Sequence, residues 1–89
     1  MKALYRKAFL KDLASIPAKT RSQIESFVFE DVVQAESVEV MGKVERMKGY
    51  PGFYKARFGD YRVGLRVEAG VVTFERVLHR KEIYRKFPD

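Results

Sequence analysis

The 89-residue chain contains no cysteine. That excludes a disulfide framework, a thiol nucleophile and any zinc site built on thiolates. It has a single histidine, His79. A histidine metal cluster and an HExxH motif are therefore excluded as well. No apolar run approaches the roughly 20 residues needed to span a bilayer. The N-terminus lacks the apolar core of a signal peptide, which predicts a cytoplasmic protein. Gly49 and Gly52 do not belong to a GxxxxGK[ST] sequence, so there is no P-loop. No Ser-His-Asp set and no pair of carboxylates can be assembled with any specificity. Neither a cofactor nor a metal is expected. Repeats, linkers and low-complexity tracts are also missing, so residues 1–89 read as one domain with one modest core.

Positive charge is what the chain has in excess. It carries 18 Lys+Arg against 12 Asp+Glu, a formal net charge of +6. Residues 1–42 hold six basic and six acidic residues, whereas residues 43–89 hold twelve basic and six acidic. The whole excess lies in the C-terminal half, and such asymmetry points to a polyanionic partner, most often nucleic acid. A membrane surface is the competing polyanion. The basic residues fall on predicted strands rather than on one amphipathic helix, which argues against it. A hydrophobic content of 46% is enough to build a core and argues against disorder.

Periodicity outlines an α+β fold. Residues 2–6 suit an edge strand. Phe9, Leu13 and Ile16 follow at helical spacing. Pro17 ends that helix and suits the first turn of the next. Ile24, Phe27, Val28, Val32 and Ala35 form a helical stripe from Ala18 to about Ala35, widened by Phe29 and Val33, and the whole stripe reads as core. Val40, Val44 and Met47 fit either a short helical turn or an irregular loop. Gly49-Tyr-Pro-Gly52 closes that segment as a turn cluster. Three strands follow, with turns at Gly59-Asp60 and Ala69-Gly70, and residues 80–87 form a short C-terminal helix or tail. The architecture is two N-terminal helices packed on a small antiparallel sheet. In the last strand Val72, Phe74 and Leu78 join the apolar face. Arg76 also lands there, an awkward position that a bulge or an edge location would relieve.

The hairpin of residues 53–67 holds the chemistry. A two-residue turn at Gly59-Asp60 sets Phe58 opposite Tyr61, Arg57 opposite Arg62 and Lys55 opposite Gly64. Alternation gives one face Tyr54, Ala56, Phe58, Tyr61, Val63 and Leu65. The other face carries Phe53, Lys55, Arg57, Arg62, Gly64 and Arg66. Like charges facing each other across strands cost stability, so the Arg57–Arg62 pair suggests a site arranged for an anion. The competing reading is a solvated polar face, with Arg62 paired to Glu75 across the sheet. Guanidinium groups bind phosphate in a forked geometry, and an ammonium acts as a point charge. Such groups can stabilise the phosphorane formed when an RNA 2′-hydroxyl attacks its own phosphate.

The sequence Gly49-x-Pro-Gly-x-Tyr-Lys-x-Arg57, then Gly59-Asp-Tyr-Arg62, then a hydrophobic strand and His79-Arg-Lys-Glu-Ile-Tyr84, resembles the RelE/ParE toxin superfamily. The likeness covers nearly the whole chain. Its RelE branch implies a ribosome-dependent endoribonuclease that cuts mRNA in the A site and is neutralised by a cognate antitoxin. By that resemblance Lys55, Arg57, Arg62, Arg80 and Tyr84 are the expected catalytic residues; Arg66, His79 and Lys81 are expected to contact nucleic acid beside them. One departure matters: the second basic position, often lysine, is Arg57. Arginine stays protonated, so proton transfer falls to Lys55, Tyr84 or His79. The ParE branch implies a gyrase poison and usually lacks the full set. A non-catalytic RNA-binding module is the third reading.

Overall fold

The computed structural model describes residues 1–88. Strand β1 (Lys2–Tyr5) leads into helix α1 (Lys7–Ala14) and then α2 (Ala18–Ser26). One π-helical stretch, Phe27–Asp31, continues α2 into the single turn α3 (Val32–Gln34). A 3₁₀ turn at Val38–Val40 precedes β2 (Val44–Arg46), followed by β3 (Phe53–Phe58), β4 (Tyr61–Glu68), β5 (Val71–His79) and α4 (Ile83–Lys86). The five strands form one sheet in the order β1-β5-β4-β3-β2.

The α+β architecture stands, with two refinements. First, β1 runs parallel to β5, so the sheet is mixed, and only β2 to β5 are antiparallel. Parallel neighbours cannot be joined by a tight turn, and here the helices and the strands β2 to β4 all lie between β1 and β5 in the chain. Second, the undecided segment around Val44 is the edge strand β2, paired with Ala56, Lys55 and Tyr54.

One face of the sheet meets the helices. Tyr54, Ala56, Phe58, Val63, Leu65, Val72, Phe74 and Val77 pack against Phe9, Leu13, Ile16, Ile24, Phe27, Val28 and Val32, all of them buried. Phe29 and Val33, read as part of the stripe, are instead about half exposed. They lie off the face that Phe27, Val28 and Val32 bury, and Phe29 rests its ring on Tyr5 at 4.8 Å between centroids.

The awkward arginine of β5 is explained by a bulge. Gly64 pairs with Arg76 but Leu65 pairs with Phe74, so Glu75 is an extra residue on β5. A bulge reverses the facing of everything after it. Val77 therefore enters the core, while Leu78, expected there, pairs with Arg62 on the outer face. Arg76 makes a forked pair with Asp12 of α1, at 2.7 and 2.9 Å. Asp12 also accepts the Val77 N–H at 3.1 Å, satisfying β5 beyond the end of its pairing with β1.

Candidate active site on the outer face of the sheet

The site depends on the β3–β4 register, which is the one the turn dictates: Lys55 opposite Gly64, Arg57 opposite Arg62, Phe53 opposite Arg66. Gly59 adopts φ +58, a left-handed conformation that glycine takes without a Cβ clash. With the helices covering the other side, this face is left to solvent except where α4 returns over it. Phe87, just beyond α4, lies over Gly64: a Cβ added at Gly64 would fall 2.5 Å from the Phe87 ring.

That return brings Tyr84 to Lys55. The Lys55 Nζ donates to the Tyr84 hydroxyl at 2.5 Å. The same nitrogen lies 4.7 Å from the Tyr84 ring centroid. Given the length of a phenol, these distances put the ammonium beside the hydroxyl, so the contact is a hydrogen bond and not a cation–π stack. On its other side Lys55 faces Glu45 of β2 across 3.5 Å. Lys43, Glu45, Lys55, Arg57, Arg62 and Tyr84 line a cavity of about 60 Å³. That is room for roughly two water molecules. It is too small for a nucleoside, but it suits an anionic group presented at its mouth. Lys55, Arg57 and Arg62 stand there with one carboxylate, so the lining is positive, while the Lys43 ammonium lies 5.1 Å from the Phe58 ring centroid.

The two facing arginines differ in environment. Arg57 is exposed. Arg62, expected on the exposed side, is instead buried, with only 8% of its surface accessible. Its Nη1 donates to the carbonyls of Gly59 at 2.6 Å and Tyr61 at 2.9 Å, tying the guanidinium to the hairpin turn. The anticipated pair with Glu75 does not form, because Glu75 is held by Arg6 at 3.2 Å and Arg66 at 3.4 Å.

The other sequence candidates lie outside this cavity. Arg80 sits at the end of β5, 3.8 Å from the Asp60 carboxylate, and its backbone N–H donates to the Asp60 carbonyl. It is at the hairpin tip and about half exposed. Arg66 is at the far end of the outer face, paired to Glu75 and, at 3.9 Å, to Glu68. His79 pairs with Tyr61, which packs against the core, so the bulge turns its ring to the helix side. Its Nδ1 accepts the Lys81 N–H at 3.1 Å, which puts any ring proton on Nε2. The Lys81 side chain is exposed.

Sequence reasoning missed Glu45 and Lys43 as parts of the site. Glu45 sits on a three-residue strand, too short to show an alternation, and is revealed by its pairing with Lys55; Lys43 precedes that strand and is placed by its carbonyl, which accepts the Arg57 N–H at 3.3 Å. Among the described residues no three His, Asp or Glu side chains gather to hold a metal ion, and no helix is long and apolar enough to cross a membrane.

Known proteins resemble this chain over nearly its full length. The sequence profile of the ParE toxin of type II toxin–antitoxin systems, parDE, matches residues 3–84. The toxin RelE3 of Methanocaldococcus jannaschii is 38% identical over 89 residues, covering 99% of this chain and all of the relative. Among solved structures, the RelB–RelE antitoxin–toxin complex from Methanococcus jannaschii matches with a TM-score of 0.81 at 36% identity, over 96% of this chain and 99% of that one. An archaeal RelE–RelB complex from Pyrococcus horikoshii matches with a TM-score of 0.70 at 26% identity, over 89% of this chain and 93% of that one.

Proposed function

The chain belongs to the RelE/ParE toxin superfamily, and we propose that it is a ribosome-dependent endoribonuclease that cuts mRNA in the A site and thereby stops translation. A cognate antitoxin would neutralise it, as the pairing of similar toxins with RelB suggests. The observation that carries this reading is the Lys55–Tyr84 hydrogen bond in a cavity shared with Arg57 and Arg62.

The chemistry follows from these groups. The 2′-oxygen of one nucleotide attacks the adjacent phosphorus while the bond to the 5′-oxygen of the next nucleotide breaks. Negative charge builds on the non-bridging oxygens. Arg62, Arg57 and Lys55 oppose that charge, and such opposition is worth most where donors need not reorganise. Arg62 is the best fixed, because the turn carbonyls hold it before substrate arrives. A proton must leave the 2′-hydroxyl and one must reach the departing 5′-oxygen. Arginine transfers neither. Tyr84 is the proposed general acid: its oxygen accepts from Lys55, which leaves its own O–H to protonate the departing 5′-oxygen, while the 2′-hydroxyl proton passes to solvent water and solvent re-protonates the phenolate after the cut. Glu45 holds the Lys55 ammonium from the opposite side. Arg80, at the hairpin tip, engages the strand outside the cavity, with Lys81 beside it, and Arg66 extends the basic face. His79 has no part in proton transfer, since it faces away from the cavity.

The match to a ParE profile favours a second reading, a toxin that poisons DNA gyrase without cutting RNA. One experiment separates the two. Purified protein is added to ribosomes programmed with a defined mRNA, and separately to gyrase with supercoiled DNA. The nuclease reading expects A-site mRNA cuts and intact DNA. Double-strand DNA breaks with uncut mRNA would overturn it.

A further inference from the structure

Helix α4 has four residues, far fewer than a helix needs to persist in water by itself. Two buried side chains bracket it: Ile83 is 1% exposed and Phe87 3%, whereas Tyr84 between them is 58% exposed. The Phe87 ring lies on Gly64 and 5.6 Å from the Phe53 ring. Gly64 occupies the interior of β4, where glycine weakens a strand and marks a close approach by another group. It is also the cross-strand partner of Lys55. One strand pair thus presents Lys55 on β3 and the seat of the C-terminal ring on β4. With Phe87 seated, the turn of helix behind it delivers the Tyr84 hydroxyl to Lys55.

We propose that Phe87 is a positioning residue and Gly64 its seat, forming a C-terminal clasp that assembles the Lys55–Tyr84 pair. For its kinetic consequences the proposal rests on the nuclease reading; for its geometry it does not. Any side chain at residue 64 should lift the ring, because the Cβ would sit within 2.5–2.7 Å of three ring carbons.

The test uses the full chain with carbon-13-labelled tyrosine. The Tyr84 resonance is identified by its loss in Tyr84→Phe, and Lys55→Met should shift it in the parent. In Phe87→Ala and in Gly64→Ala the same Lys55→Met change should leave Tyr84 unmoved, while Phe87→Leu should restore part of the response. Hydrogen exchange of the β3–β4 amides should be unaltered in all of them. In the ribosome assay, Phe87→Ala should lower kcat to within about 3-fold of Tyr84→Phe and leave KM within about 2-fold of the parent. The double variant should be no slower than Tyr84→Phe alone, since Phe87 acts through Tyr84.

Three results would overturn the proposal. One is a Tyr84 signal that still answers to Lys55 without Phe87. Another is a double variant slowed by the product of the two single effects. The last is loss of sheet protection in Phe87→Ala, which would make the ring a general structural prop. If the parent cuts no mRNA, the nuclease reading fails and the resonance arm alone decides the clasp.

Discussion

Replacing Arg62 with alanine should cost stability as well as activity, whereas replacing its neighbour Arg57 should cost activity alone. Arg62 is 8% exposed and donates from Nη1 to two turn carbonyls, at 2.6 and 2.9 Å. A hydrogen bond from a charged donor is worth about 1.5–3 kcal/mol, and two from one nitrogen do not simply add. Removing the guanidinium also relieves its repulsion with Arg57, which returns about 0.2–1 kcal/mol. The expected net loss for Arg62→Ala is about 2 kcal/mol, or roughly 8–16 °C in Tm for a chain of this size. Arg57 is exposed, so Arg57→Ala should stay within about 0.5 kcal/mol of the parent and can even gain a little. Urea and thermal melts followed by circular dichroism measure both, with an unchanged urea slope confirming that the same transition is compared. Equal losses for the two variants, or a loss below about 0.5 kcal/mol for Arg62→Ala, would refute the claim that the turn pre-sets this guanidinium.

Other perturbations reach different parts of the structure. Burial raises the Tyr5 phenol above its ordinary value of 10.0, and the hydroxyl donates to the Val28 carbonyl. Folding therefore favours the protonated form: its contribution is full below the unfolded value and is lost as pH rises through the folded one. Urea melts between about pH 9 and 11 should show the parent losing stability faster than Tyr5→Phe, and parallel slopes would contradict this. Asp12→Ala removes the forked partner of Arg76 and the acceptor of Val77 N–H, and should cost about 2–3 kcal/mol by denaturation. In the ribosome assay Arg62→Lys should recover little of the rate lost in Arg62→Ala, because an ammonium does not reproduce a planar fork. Lys19→Ala, on the charge-neutral half, should leave that rate unchanged; if it slows cleavage as much as Arg62→Ala, the basic face supplies only general attraction.

The hairpin was legible because its signals are local. Gly59-Asp60 specifies a two-residue turn, the turn fixes the register, and strict alternation assigns the faces. The same holds for the α2 stripe and for Pro17 as a boundary. What sequence did not yield depends on contacts between distant residues. The strand β2 is three residues long and is defined by pairing with β3, so Glu45 could not be assigned to the site. The awkward position of Arg76 hinted at the bulge but did not locate it at Glu75, and that one residue decides which face His79 and Leu78 occupy. Alternation assigns Gly64 to the basic face, where it leaves a gap because it has no side chain. Only the return of Phe87 from the chain end shows that the gap is filled. Burial of Arg62 was also hidden, since alternation gives the face of a residue but not the depth of its side chain.

Cleavage of one phosphodiester by its own neighbouring 2′-hydroxyl is the central claim, and a single substitution in the substrate tests it. Programmed ribosomes are supplied with an mRNA carrying one deoxyribose on the 5′ side of the bond that is cut in the all-ribose message. This bond should stay intact, while the all-ribose control is cut to leave a 2′,3′-cyclic phosphate or 3′-phosphate end. Cutting of the deoxy-substituted bond at an undiminished rate would contradict the claim, because the proposed nucleophile is then absent.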